Sequence, residues 1–345
     1  MKAAKLYGKN DLRIVDVPVP EISDDEILLR VKAATVCGTD LRMYANGAAG
    51  IDEEHPLTLC HEFAGTIEKL GKNVKGYEAG QRVSIAPNIG CGICDMCVSG
   101  NGHHCKKLVA IGVNFDGGFA EFAKIPAAAI VLGNVTPLAG GVSFEAAAAN
   151  EAFACVYNAF ERYGVNPGEA VLIIGAGAIG MMHAELALMA GASVVILNDL
   201  SEERLHACKA LDHRITIAST DLKELVDLKT GGKGADVVIT ACSVQSVQED
   251  AFNYAALNGR VNFFGGLPAG RTATLDTNQI HYKQLVVSGT TRSSLDHYRK
   301  TLDFIAKGIV SVDPLVTDRY PLEEVLTAFG NASAQKGLKQ AIVFE

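Results

Sequence analysis

The stretch that decides the fold is Ala170-Val171-Leu172-Ile173-Ile174-Gly175-Ala176-Gly177-Ala178-Ile179-Gly180, five apolar residues running directly into a glycine-rich turn. An uninterrupted apolar run of this length reads as a strand buried on both faces of a parallel sheet, and the residues after it open a helix. The glycine spacing has a mechanical meaning. Gly175 permits a tight turn, Gly177 lets a pyrophosphate approach the backbone, and Gly180 lets the helix pack closely on the strand. Free N–H groups at the helix start, at Ala178 and Ile179, then face the phosphates.

Working outward, a second strand ends at Asp199, 19 residues beyond Gly180, where a carboxylate can accept hydrogen bonds from an adenosine ribose. Asp199 would repel a ribose 2′-phosphate and Leu200 offers no positive charge, so NAD is favoured over NADP. Arg204 and His206 lie one helical turn on and temper that preference, and Arg204 is placed with the cofactor-binding residues. Further apolar, β-branched runs at Ser193 to Leu197, Asp236 to Thr240, Val261 to Phe264 and Leu285 to Ser288 alternate with helical patterns at Met181 to Ala190 and Glu202 to Leu211. Residues 150–288 are therefore expected to form a doubly wound, parallel-sheet Rossmann domain binding NAD, in an α/β protein.

The rest of the chain has another texture. From Met1 to about Pro137 it reads as short strands between turn signals, such as Glu26 to Ala33, Phe63 to Leu70 and Arg82 to Ile85, and Ala341 to Phe344 reads as a strand returning to this mainly β region. At 345 residues, and roughly 150 per domain, two domains are expected. A hydrophobic content of 48% with 20% charged residues excludes a disordered or fibrous chain. The net charge of -8 argues against nucleic acid or an anionic membrane as partner. Met1 to Pro20 lacks the apolar core of a signal peptide, and the longest apolar stretch, about 13 residues, is too short to span a bilayer. A reducing cytoplasm is the expected compartment.

In that setting the nine cysteines point to metal or catalysis rather than disulfides. Cys91, Cys94, Cys97 and Cys105 are separated by two, two and seven residues, with glycines at 90, 92, 100 and 102. Two-residue gaps let thiolates converge on one ion and the longer gap returns the chain to close a tetrahedron, which suits structural Zn²⁺. An iron–sulfur cluster is the alternative, although its usual spacing has a shorter last gap followed by proline. Cys37, in Cys37-Gly38-Thr39-Asp40, and the pair His61-Glu62, 24 residues on, supply a thiolate, an imidazole and a carboxylate. That donor set suits a catalytic zinc with one open position, though spacing alone fits a packing cysteine as well.

The order of these motifs, a Cys-Gly-Thr-Asp element, His61-Glu62 followed by Gly65, a four-cysteine lobe and then a glycine-rich dinucleotide turn, resembles the zinc-dependent medium-chain alcohol dehydrogenases, and within them the polyol branch around sorbitol dehydrogenase. The resemblance covers essentially the whole chain. It implies a GroES-like, mainly β catalytic domain from residues 1–149 and 289–345, with a zinc lobe at about 88–108, around the Rossmann domain, and an active site in the cleft between them. It also implies one catalytic and one structural zinc, NAD, a small polyol or alcohol substrate, and a homo-oligomer, dimer or tetramer.

Residue by residue, the resemblance makes Cys37 and His61 catalytic zinc ligands. Glu62 and Glu151 match acidic positions that bind the metal in some members, and the sequence leaves open which does so here. Asp40 matches the carboxylate that orients the zinc-bound histidine, and Thr39 the hydroxyl that passes the substrate proton outward. Lys339 matches a basic residue contacting the cofactor pyrophosphate, against its alternative as a solvated surface lysine. Arg292 lies where sorbitol dehydrogenases carry an arginine that binds distal polyol hydroxyls, with a structural loop arginine as the alternative. Three departures stand out: Cys60 replaces a usual glycine, Gln81 a usual aspartate, and Arg42 a relay histidine. Arg42 puts a second cation near the substrate, so a polyol phosphate rivals a polyol.

The implied reaction is reversible NAD-dependent oxidation of a secondary hydroxyl of a polyol, cyclitol or polyol phosphate to the ketone. L-threonine 3-dehydrogenase and secondary-alcohol dehydrogenase are the rival activities, and a non-catalytic zinc and dinucleotide binder is the rival of another class.

Overall fold

The computed structural model describes residues 1–345, which divide into two compact units, 1–154 with 292–345 and 155–291. These limits differ by five and three residues from the expected boundaries. The first falls inside one unbroken helix, Phe144–Tyr163, whose sequence contains no glycine or proline to mark a division.

The first unit is mainly β. Its largest sheet runs, in spatial order, Val135–Pro137, Arg82–Ile85, Phe63–Leu70, Ile27–Thr35, Lys339–Val343 and Val316–Tyr320, with Phe122–Ile125 also paired to Ile27–Thr35. The C-terminal strand lies antiparallel to Ile27–Thr35, with Ala341 opposite Thr35 and Ile342 opposite Ala34. Ala34 also faces Phe63 across the other neighbour, so three strands converge at one end, beside residues 35, 62 and 339. Beneath the sheet Phe63, Phe119, Phe329, Leu29 and Ile67 are essentially excluded from water and hold these strands in register.

The second unit is a six-stranded parallel sheet in the order Thr216–Ala218, Val194–Asn198, Ala170–Ile174, Ala235–Thr240, Ala255–Phe263 and Val286–Gly289. All five residues of Ala170–Ile174 are buried, as a central strand covered on both faces requires. The order reverses beside this strand, between Ala170–Ile174 and Ala235–Thr240, and at such a switch point the carboxyl ends of the strands open a crevice. Two details depart from the sequence reading. Thr216–Ala218 is too short to register as a strand, and Ala255–Phe263 begins six residues before Val261, because its register shifts around Asn258-Gly259 and breaks the apolar run.

No helix is long and apolar enough to cross a membrane.

Candidate metal and dinucleotide sites

In the lobe of the first unit Sγ of Cys94 lies 3.6 Å from Cys97 and 3.8 Å from Cys105, and Cys91 lies 4.0 Å from Cys97. A tetrahedron with Zn–S bonds of about 2.3 Å has edges of about 3.8 Å, so the thiols already stand at the spacing one zinc ion imposes. Backbone N–H groups of Ile93 and Cys94 bring the Cys91 thiol down to about 6, which favours the ligating thiolate. The donor set and its spacing fit structural zinc.

The second cluster forms where the three strands converge. Cys37 follows the strand Ile27–Thr35 and caps the helix Gly38–Asn46, while His61 and Glu62 precede the strand Phe63–Leu70. Ligand atoms of Cys37, His61 and Glu62 lie within 4.8 Å of one another. Glu151, on the helix Phe144–Tyr163, brings Oε2 to 4.0 Å from His61 Nε2. The neighbouring Asn150 anchors that turn by donating to the Tyr298 carbonyl at 3.0 Å, and Tyr298 lies 2.5 Å from the Ser84 hydroxyl. His61 Nδ1 and Glu62 Oε1 are buried without hydrogen-bond partners, as atoms directed at a metal or its immediate surroundings would be. The residues fit a catalytic zinc.

Asp40, expected to orient His61, stands beside it and hydrogen-bonds elsewhere. It lies 4.0 Å from His61 Nδ1, beyond hydrogen-bond reach, and its two oxygens instead accept the backbone N–H groups of Cys37 at 2.9 Å and Cys60 at 3.1 Å. Fully buried, it ties together the two chain segments that carry the ligands. Burial raises its pKa above the ordinary value, against the pull of His61 and the Cys37 amide.

Lys339 is not a solvated surface lysine. It opens the C-terminal strand, is buried, and places Nζ 2.6 Å from Glu62 Oε2, which also accepts the Thr35 hydroxyl. Burial would raise the Glu62 pKa, but Lys339, His61 and Thr35 outweigh it and hold the carboxyl below its ordinary value. Burial likewise opposes the Lys339 charge, and Glu62 reverses that and raises it. No sequence signal marks Thr35, an ordinary strand residue, or a pairing across 277 positions.

Thr39 is half-buried, and its Oγ1 accepts a hydrogen bond from Arg42 Nη2 at 2.9 Å. Arg292 sits on an exposed turn with φ +57° at the start of the segment 292–345. Cys60 is fully buried, and burial pushes its thiol well above the ordinary value, so it remains S–H.

In the second unit the glycine-rich turn has the shape its sequence suggests. Gly175 adopts φ +118°, and a Cβ at Gly180 would lie 1.8 Å from the Gly175 carbonyl oxygen, so only glycine fits there. The helix Ala178–Met189 follows, with Gly177 as its N-cap. Asp199 Oδ2 accepts the Ala176 N–H at 2.7 Å and Oδ1 the Ser201 N–H at 2.9 Å, which sets the carboxylate beside the turn. The Arg204 guanidinium lies within 4.0 Å of where a Gly177 Cβ would be, over the same turn.

Comparison with known proteins bears on the family of the chain. Residues 23–134 match the alcohol dehydrogenase GroES-like domain, and residues 178–307 match the zinc-binding dehydrogenase domain. A sorbitol dehydrogenase of Bacillus subtilis is 32% identical over 336 residues, covering 96% of this chain and 93% of its own. An L-threonine 3-dehydrogenase of Bacillus licheniformis is 32% identical, covering 91% of this chain and 90% of its own. Among solved structures, galactitol-1-phosphate dehydrogenase of Escherichia coli superposes with a TM-score of 0.88 at 25% identity, covering 100% of both chains. With a four-thiol lobe, a Cys-His-Glu centre and a dinucleotide turn on a fold shared along its whole length, the chain belongs to the zinc-dependent medium-chain alcohol dehydrogenases, in their polyol branch.

Proposed function

We propose that the protein reversibly oxidises a secondary hydroxyl of a polyol, cyclitol or polyol phosphate to the ketone, with NAD as hydride acceptor. The observation that carries this reading is the polar wall of the metal centre: Glu151 stands 4.0 Å from His61 Nε2, and Arg42 reaches the Thr39 hydroxyl at 2.9 Å. These are groups that bind further hydroxyls or an anion, where a site for simple alcohols needs apolar surface.

Cys37, His61 and one of Glu62 and Glu151 would hold the catalytic zinc, and Cys91, Cys94, Cys97 and Cys105 the structural one. When bound, the catalytic metal supplies Lewis acidity, which can lower the pKa of a bound hydroxyl by about 9 units, or roughly 12 kcal/mol. Thr39 takes the substrate proton. Arg42 occupies one lone pair of Thr39 Oγ1, leaving the other to accept from the substrate while the threonine O–H passes its own proton on. A guanidinium cannot accept that proton, so it leaves to water or a cofactor hydroxyl rather than through residue 42. On the dinucleotide side Gly175, Gly177, Ala178, Ile179 and Gly180 receive the pyrophosphate, and Asp199 receives the adenosine ribose and disfavours a 2′-phosphate. Lys339, paired with Glu62, takes on the charge of the metal centre. Arg292 is the residue assigned to distal hydroxyls of the substrate.

A second reading is supported by the similarity to L-threonine 3-dehydrogenase, since threonine also carries a secondary hydroxyl. A panel of polyols, polyol phosphates, threonine and primary alcohols, with NAD and NADP and on protein of measured zinc content, separates the readings. Turnover of polyols or their phosphates with NAD supports the proposal. Turnover of threonine alone selects the second reading, and turnover confined to unbranched primary alcohols sinks both.

A further inference from the structure

The residue before His61 is held at each of its polar atoms. Cys60 is fully buried with φ +82°, in the left-handed region where a side chain is strained and glycine is at ease. Its N–H donates to Asp40 Oδ1 at 3.1 Å, and its carbonyl accepts the Gly118 N–H at 2.9 Å. The backbone at Gly112 and Gly117 presses on that carbonyl so closely that a Cβ at either would lie 2.2 or 2.0 Å from the oxygen. The conformation is therefore imposed from outside, whatever side chain residue 60 carries.

What the backbone contacts leave unexplained is the side chain itself. Sγ lies 3.2 Å from the Glu62 carbonyl and 3.6 Å from the Thr35 carbonyl, within donor reach of both. Thr35 ends the strand that leads to Cys37, and the Thr35 N–H donates to the same Glu62 carbonyl at 2.9 Å. The thiol thus sits on the seam between the segment bearing Cys37 and the segment bearing His61 and Glu62. Glycine would adopt φ +82° without strain but could make neither contact.

We propose that Cys60 is a positioning residue of the catalytic metal centre, its single S–H donating to the Glu62 carbonyl at 3.2 Å, with the Thr35 carbonyl at 3.6 Å as the alternative acceptor, so that His61 and Glu62 stay converged on Cys37. The proposal rests on the zinc site and is independent of the substrate. Groups that hydrogen-bond a metal's ligating side chains typically change metal affinity by about 10- to 100-fold when lost, and for a thiol that holds only the backbone carrying the ligands the lower end, about tenfold, is expected.

The test follows zinc release from the full-length, zinc-loaded protein into a chromophoric chelator, together with its melting temperature. Cys60→Gly and Cys60→Ala are expected to release the more accessible zinc about tenfold faster, while the four-cysteine site keeps its ion and reports an intact fold. Cys60→Ser, which keeps a donor, is expected to stay near the wild-type rate. Cys60→Gly should do this with a melting temperature at or above that of wild type, because strain is relieved while positioning is lost. Wild-type zinc release from Cys60→Gly would overturn the proposal. So would release from Cys60→Ser as fast as from Cys60→Ala, since the donor would then not be the agent.

Discussion

Replacing Lys339 by methionine removes one half of a buried ion pair and leaves Glu62 in place. Nζ and Oε2 are 2.6 Å apart and both residues are buried, so the carboxylate that remains cannot recover its hydration. Breaking such a pair typically costs about 3–5 kcal/mol, and because Thr35 still donates to Glu62 the lower end, about 3 kcal/mol, is expected. In a unit of this size that corresponds to a melting temperature lower by roughly 6–12 °C. In wild type the Glu62 pKa is lowered, so its contribution is present above its ordinary value of 4.5 and is lost as pH falls through the lowered one. The Lys339 pKa is raised, so its contribution is present below 10.5 and is lost only as pH rises through the raised value. Between those limits the pair contributes in full.

In Lys339→Met, burial acts on Glu62 without its cation and pushes the carboxyl up, so the variant should gain stability relative to wild type as pH falls from 8 to 5.5. The chain has no tryptophan, so urea unfolding is best followed by far-ultraviolet circular dichroism. The measurement is made with the catalytic zinc present and after its removal. A smaller cost with zinc present would show the metal neutralising Glu62 directly. The double variant Glu62→Gln/Lys339→Met should recover most of the loss, because no buried charge is stranded. A cost below about 1 kcal/mol at pH 7, or a gap that does not change with pH, would refute the reasoning.

Asp199→Ala is expected to raise the KM for NAD by about tenfold or more and that for NADP by less, and equal changes for both would remove its discriminating role. Cys94→Ser should leave one zinc per chain and open the segment between Cys91 and Cys105 to proteolysis, measured by metal content and limited digestion; retention of both ions would contradict the four-thiol site. Arg42→His introduces a group that can accept the proton Thr39 passes on, with an ordinary pKa near 6.5, so an added limb in the pH profile of kcat/KM is expected near that value, and an unchanged profile would count against the route through Thr39. Arg42→Ala should raise KM for a polyol phosphate by about tenfold while leaving the neutral polyol less affected, and equal effects would deny Arg42 a role in reading an anion.

The elements legible in the sequence are those whose signal is local. Ala170 to Gly180 states a strand, a turn and a helix start within eleven residues, and the four cysteines of the lobe lie close enough in sequence for spacing alone to suggest one ion. The catalytic centre is legible only as an ordered set of separate motifs, because Cys37, His61 and Glu151 come from elements far apart in the chain. Lys339 shows the limit. Its strand is readable from Ala341 to Phe344, but the register that sets Ala341 opposite Thr35 decides that Lys339 turns toward Glu62, and register follows from pairing across some three hundred residues. Asp40 shows another. Its motif marks it as a group near the histidine, whereas its hydrogen bonds go to the backbone of Cys37 and Cys60, which no side-chain pattern encodes.

The charges gathered around His61 explain why these departures belong together. Asp40, Glu62 and Glu151 are buried carboxyls, Cys37 adds a thiol that ligates only as thiolate, and the buried lysine among them is Lys339. One ammonium stands against three buried carboxyls and a thiol, and His61 feels them: burial would lower its pKa, yet Cys37, Asp40 and Glu151 raise it well above its ordinary value. A dication, which Cys37 and His61 would hold, would offset two negative charges there and remove the need for a protonated imidazole. Lys339 serves Glu62. Glu62 Oε2 is occupied by its contacts to Lys339 and Thr35, while Oε1 has no hydrogen-bond partner. Glu62 would therefore meet a metal only through Oε1, and Glu151, on a separate helix with Oε2 4.0 Å from His61 Nε2, is the other carboxylate that would do so.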